Sequence, residues 1–386
     1  MMSKTSRAYQ AGDYVHINHL YKKVTGTIRS ADEYTWEWLE TWDGPGSVWL
    51  TFDDSREPED QLIGQYSLIP TPFSFWGNKY LAGKTENCMS HPDFRGKGMY
   101  FYHEKKYFEE AKKRFQLFFT TTGDVARGAP GKVRMKLGYR AFDHWVTYSY
   151  WLSRTDLKEE LKSKLPGFIK KIRPIASILA TVIGKGILWH SKSNRSNHCP
   201  DIQRHGEVDA PLSQIEALWG KNAELYGISV DRSETYLKWR INDNPYQTHY
   251  YLTHSEEDTL KGYLIFGIQD KIIHIIDVIA DSKSEVIFKA LFEKLIAIGK
   301  DEGFSQVKCY TASKNMLLTN MLQKSKFINW AEITIVQGFK KQIREPQIFV
   351  YVDESVDSMQ DHWDGQNWYL TDLVKEGRPY VGRAIG

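Results

Sequence analysis

Three cysteines in 386 residues, at positions 88, 199 and 309, are too few and too scattered for a disulfide framework. A reducing compartment is therefore expected. No window reaches the run of about 18 apolar residues that a membrane span requires. The opening Met-Met-Ser-Lys-Thr-Ser-Arg-Ala-Tyr-Gln has no apolar leader core, so the expected location is the cytoplasm. Charge of one sign is scarce too: a formal net charge of +3 is too small to argue for a nucleic-acid partner, and none is expected. Neither a Gly-x-Ser-x-Gly elbow nor a Gly-x-x-x-x-Gly-Lys-Ser/Thr loop occurs, which leaves serine-hydrolase and P-loop chemistry unsupported. His16 and His19 lack a second ligand pair. His190, His198, Cys199 and His205 lack the paired spacing of a structural zinc site, so no metal is expected.

Aromatic residues, by contrast, make up 14% of the chain, with 13 Trp and 22 Tyr, enough for aromatic-lined clefts or simply for large cores. Length alone suggests two or three domains. One unit seems to be written twice. Glu33 to Leu39 leads through Pro45 to the apolar run 47–52, and Glu234 to Arg240 leads through Pro245 to the run 248–253, which sets Trp38 beside Trp239. Each copy continues into a glycine-containing strand, then a strand, a helix and another strand, so the pattern is α/β. The expected division is residues 1–153, a basic linker 154–206 and a second domain 207–386. Within the linker, 168–189 is basic and then apolar. It is read as a helix packed on the domains, with an interfacial membrane helix as the alternative. Residues 347–352 form one more strand, and the tail carrying Trp363 and Trp368 is too apolar to be solvated.

The most specific stretch is Ser90-His-Pro-Asp-Phe-Arg-Gly-Lys-Gly-Met-Tyr100. An extended segment broken at His-Pro runs through an Arg and two glycines directly into a helix. Successive backbone N–H groups at such a turn make a cradle for a pyrophosphate. Here the chain resembles the GCN5-related N-acetyltransferase (GNAT) superfamily, whose motif is Arg/Gln-x-x-Gly-x-Gly/Ala. Arg95 and Gly98 match it, Tyr100 stands where Gly or Ala is usual, and Pro92 and Phe94 precede. The resemblance implies two tandem GNAT-like domains with mixed central sheets flanked by helices. Only the first has the loop, because the second reads Asp281-Ser-Lys-Ser-Glu-Val286 at that place.

The resemblance also implies acetyl-CoA as co-substrate, held by Arg95, Gly96, Lys97, Gly98, Met99 and Tyr100. The backbone of Cys88, Met89 and Ser90 would line the pantetheine arm. Glu86, read as lying on the same strand as Ser90, would be the general base, with Asn87 and His91 as alternatives; the competing reading is a Glu facing solvent or paired with Lys84 or His103. Cys88 has no His partner and is read as a buried strand cysteine. The family's general acid is a Tyr on a later helix; that position falls on Arg134, so the acid is missing, and Tyr100 or Tyr102 would have to replace it. The acceptor expected is a small primary amine such as an amino sugar, in a Trp/Tyr-rich cleft between or beside the domains. Two other readings stand beside acetyl transfer. One is a non-catalytic protein that binds CoA or a partner; the other is a Fem-type aminoacyl transferase, which would bind charged tRNA and no acyl-CoA.

Overall fold

The computed structural model describes residues 4–122, 129–164, 201–329, 346–356 and 361–378. The stretch 168–189, Cys199 and most of the linker lie outside them. The first half runs β1 (Lys4–Ala8), α1 (Tyr14–Thr25), α2 (Ala31–Tyr34, prolonged by a π turn Thr35–Leu39), β2 (Ser47–Asp53), β3 (Leu62–Phe75), β4 (Asn78–Thr85), β5 (Met89–Ser90), α3 (Met99–Ala111), β6 (Leu117–Thr122), α4 (Ala129–Lys136) and β7 (Arg140–Trp151), followed by α5 (Arg154–Lys164). The second half repeats this plan. It has β8 (Gln203–His205), α6 (Leu212–Asn222), β9 (Ile228–Val230), α7 (Glu234–Leu237, again prolonged by a π turn, Lys238–Asn242), β10 (His249–Glu256), β11 (Thr259–Gln269), β12 (Ile272–Ala280), α8 (Glu285–Asp301), β13 (Gln306–Ala312), α9 (Met316–Lys324) and β14 (Ile328–Asn329).

The strands of both halves join in one mixed sheet. They join at β7, whose later residues pair with β13, and at the end of β3, where Phe73–Phe75 pair with β9. Residues Gln347–Val352 (β15) do not stay beside their sequence neighbours. They insert between β6 and β7 in the first half's sheet, antiparallel to both.

A pair of tryptophans sets the register of the repeat. Trp36 and Trp239, 203 residues apart, stack at 5.2 Å, and each indole N–H donates to the other's carbonyl, at 2.8 and 3.0 Å. The same offset relates the N-caps Ser30 and Ser233, and each accepts a backbone N–H from its helix. Trp36, not Trp38, is therefore the counterpart of Trp239. The one-turn capping signal, Ser followed by an acidic first turn, marks the equivalence better than the Trp-to-Pro spacing does.

Each half also carries a β-bulge at the same place. In the first, Leu68 pairs with Thr85 but Gln65 pairs with Met89, leaving Asn87 as the extra residue in the left-handed region, at φ 49°. In the second, Phe266 pairs with Ile275 and Ile265 with Asp277, leaving Ile276 over. Glu86 and Ser90 are thus not on one strand: the bulge ends β4 and starts β5. Asn is among the few residues other than Gly that adopt this conformation readily, which is why the break is accommodated there.

Beyond the bulge the strands splay. β4 pairs with the parallel β6 only over Ala82–Lys84, so the two diverge and open a wedge beside β5. β12 likewise pairs with β13 only over Ile272–Ile275. In the second half this wedge is filled by the chain's own tail. Tyr369 donates to the Val278 carbonyl at 2.6 Å, Thr371 to the Asp277 carboxylate at 2.7 Å, and Thr311 to the Leu370 carbonyl at 2.7 Å. Asp277 is closed off further by a bidentate bond from buried Arg232 and by the Tyr263 hydroxyl. Trp368 meanwhile packs on Phe73, Phe75 and Phe142 of the first half, so the tail docks on both halves.

Candidate functional site

The loop predicted to cradle a pyrophosphate begins with a 3-10 turn, Pro92–Phe94, capped by the His91 side chain. Arg95 is extended, Gly96 and Gly98 are both at φ 76°, and α3 starts at Met99. Gly98 is the N-cap and supplies no side-chain acceptor, so the first N–H groups of α3 keep their orientation outward. Arg95, Gly96, Lys97 and Gly98 are exposed, Met99 is half-buried and Tyr100 lies in the first turn of the helix. The loop is braced from below: Arg56 bonds Asp60 at 2.9 Å and Asp93 at 2.8 Å, and Lys23 pairs with Asp60. Asp93 is thereby neutralised, and Arg95 and Lys97 dominate the local charge.

The matching segment of the second half is built differently. One residue, Ser284, separates the 3-10 turn Asp281–Lys283 from α8, where the first half has the four residues Arg95 to Gly98. The Ser284 side chain caps α8 by accepting from Ile287. With its loop shortened, its helix end capped and its wedge filled by the tail, the second half presents no comparable cradle.

Within the first half, β5 pairs with β3 along one edge, and its other edge faces the wedge without a strand partner among the described residues. Cys88 and Ser90 are half-buried there and Met89 is buried. Burial pushes the Cys88 thiol up to about 12, so it stays protonated and inert near neutrality. His91 is occupied as the turn's cap and sits 3.3 Å from Asp60.

Glu86 stands at the end of β4, immediately before the bulge. Its neighbour Lys84 is buried, which is rare for lysine unless it is paired. Lys84 bonds both Glu86 and, at 3.2 Å, Glu376 from the tail. Burial raises the Glu86 carboxyl above the ordinary range and the charge of Glu376 adds to this, while Lys84 offsets part of it. Sequence reasoning offered Lys84 as a partner of Glu86, and the structure makes that pair, but it missed Glu376 and its neighbour Arg378. Glu376 lies 292 residues from Lys84, and no local pattern signals a contact over that distance.

The position of the expected acid is also settled. Arg134 on α4 is buried and bonds the Glu104 carboxylate on α3 at 2.7 Å. A guanidinium gives up no proton in a protein, so it cannot protonate a leaving thiolate. Tyr139 is a buried core residue whose hydroxyl is held above its ordinary pKa by burial. Tyr102 is exposed, with its ring near Gly98. A surface cleft lined by Trp42, Asp43, Lys79, Tyr80 and Asp231 does lie between the halves, but at the start of β4, the far end from Glu86. Among the described residues no cluster suits a metal ion.

No family model and no curated protein matches the sequence. Solved structures match the fold. A conserved protein of unknown function from Enterococcus faecalis, described as a probable N-acyltransferase, superposes with a TM-score of 0.59 at 13% identity, over 92% of this chain and 73% of that one. A GCN5-related N-acetyltransferase from Anabaena variabilis gives 0.57 at 12% identity, over 91% and 73%. A tandem GNAT protein from the clavulanic acid biosynthesis pathway gives 0.52 at 11% identity, over 92% of this chain and all of the other. The chain therefore has the GCN5-related N-acetyltransferase fold, in its tandem form.

Proposed function

We propose that the first half transfers an acyl group, acetyl from acetyl-CoA, to a primary amine such as an amino sugar. The observation that carries this reading is the Arg95–Gly98 loop, opening onto a helix end without a side-chain cap, beside a wedge whose strand edge has no strand partner among the described residues. The pyrophosphate would bind the loop and the N–H groups of α3, and Arg95 and Lys97 would add charge. The pantetheine arm would follow the backbone of Cys88, Met89 and Ser90. Glu86 would remove a proton from the acceptor's ammonium. The freed lone pair attacks the thioester carbon, a C–N bond forms, the nitrogen sheds its second proton to water, and the C–S bond breaks with its electrons on sulfur. Water then protonates the thiolate, since Arg134 holds the place of the usual acid.

A second reading, a non-catalytic acyl-CoA binder, is favoured by the Arg134–Glu104 pair and by the tail lying over Glu86. The Fem-type reading has less support, because it gives the loop no use. Among the described residues no helix is long and apolar enough to cross a membrane.

Incubation with acetyl-CoA and a panel of primary amines that includes glucosamine tests the proposal. Release of free thiol and an N-acetylated product is expected. Acetyl-CoA binding without thiol release across the panel would select the non-catalytic reading, and no binding would overturn both.

A further inference from the structure

The tail does more than fill the second half's wedge. Beyond Thr371 it crosses to the first half, guided by Arg240, whose guanidinium donates to the Lys375 carbonyl at 2.8 Å, and by Asn244, which donates to the Gly377 carbonyl at 2.9 Å. Gly377 is at φ 81°, and a Cβ there would stand 2.5 Å from Arg240 Nη1 and 2.8 Å from Asn244 Nδ2. Only glycine fits this passage. The next residue, Arg378, enters a pocket beside Glu86. Its guanidinium bonds the buried Glu37 carboxylate and donates to Asn87 Oδ1 at 3.1 Å and Tyr21 Oη at 3.4 Å.

This pocket holds a cation at the bulge residue Asn87, immediately next to the candidate base. It is also rich in donors with nothing to bond. Arg29, 4% exposed, stacks on the Tyr21 ring at 4.1 Å and bonds Glu37 through Nη1 at 3.3 Å, yet its Nε and Nη2 have no hydrogen-bond partner. Asn87 Nδ2 and Tyr246 Oη, which comes from the second half and packs edge-on against Trp36, are buried without a partner too. A buried donor left unbonded forfeits its hydration without return, so a pocket with several is shaped for a ligand that supplies acceptor oxygens.

We propose that the Arg378 pocket is the acceptor subsite, that Arg378 occupies it as a tethered stand-in, and that the acceptor is a primary ammonium flanked by hydroxyl oxygens. The ammonium takes the place of the guanidinium against Glu37. The hydroxyls meet Arg29, Asn87 and Tyr246. The tail therefore competes with the acceptor, and the second half contributes to the first half's site through both Tyr246 and Glu376. The assignment rests on the proposed acyl transfer, and its test does not need turnover.

Glucosamine, with N-acetylglucosamine as the uncharged control, is titrated by calorimetry into the wild-type protein and into Arg378→Ala and Gly377→Val. The first variant removes the stand-in. The second lifts the tail without altering Glu37, Arg29, Asn87 or Tyr246, so it decides the matter if the first fails to fold. Glucosamine is expected to bind both variants at least tenfold more tightly than the wild type, and N-acetylglucosamine to bind none of them. Acetyl-CoA affinity, measured on the same samples, is expected to be unchanged, which separates this result from failure of the cofactor reading. Equal glucosamine affinity in all three proteins, no binding to either variant, or binding of N-acetylglucosamine as tight as that of glucosamine would overturn the assignment.

Discussion

Gly98→Glu is expected to weaken acetyl-CoA binding at least a hundredfold while the protein still folds. Gly98 sits at φ 76°, where a side chain costs about 1–2 kcal/mol, and it is the N-cap of α3. A Cβ there meets only the Tyr102 ring, at 3.7 and 3.9 Å, so the core is not disturbed. The new carboxylate would face the uncapped helix end and satisfy the very N–H groups meant for the pyrophosphate, and it would repel the diphosphate's charge. A hundredfold loss is about 2.8 kcal/mol, within reach of these effects combined. Calorimetry gives the affinity and a thermal melt gives the fold. Unchanged affinity in a folded variant would show that the loop is not the cofactor's anchor.

Replacing Glu86 by Gln is expected to lower kcat by about 10²–10⁴ with acetyl-CoA affinity unchanged, the range for losing a general base. Lys84 keeps Glu376 as its partner in this variant, so the buried cation is not stranded. The pH dependence has a definite sign. A base acts in its ionised form, so activity falls as pH drops through its pKa. Burial and Glu376 raise that pKa, which places the acid limb of kcat/KM above the ordinary Glu value of about 4.3. Glu376→Gln removes one of the two raising effects and should move the limb to lower pH. A Glu86→Gln enzyme with full activity, or a limb that ignores Glu376, would assign the base elsewhere.

Features written locally were legible in the sequence. The His-Pro break and the Arg-Gly-Lys-Gly run determine the loop within eleven residues, and its absence from the second half is as plain as its presence in the first. Strand Ile272–Ala280 and strand Gln347–Val352 fall where their apolar runs put them. Partnership was not legible. Val350 and its neighbours read as a strand, yet nothing in them says that β6 and β7 are their partners. The bulge at Asn87 is one residue of extra length, visible only when β3 is laid against β4 and β5, so Glu86 and Ser90 looked continuous. The candidate site suffers most from this, because Lys84, Glu86, Glu37 and Arg378 are joined by contacts spanning up to 341 residues. A strand's periodicity reports which face is buried, not which distant carboxylate will be buried with it.

The two halves share a fold and even a bulge, but one has an open wedge behind a glycine loop and the other has a shortened loop, a serine cap and a tail in its wedge. Titration of the full-length protein with acetyl-CoA by calorimetry tests that asymmetry most directly. One site per chain is predicted, and Gly98→Glu should abolish it. Two sites per chain, or one that survives Gly98→Glu, would contradict the assignment of a single cofactor site to the first half.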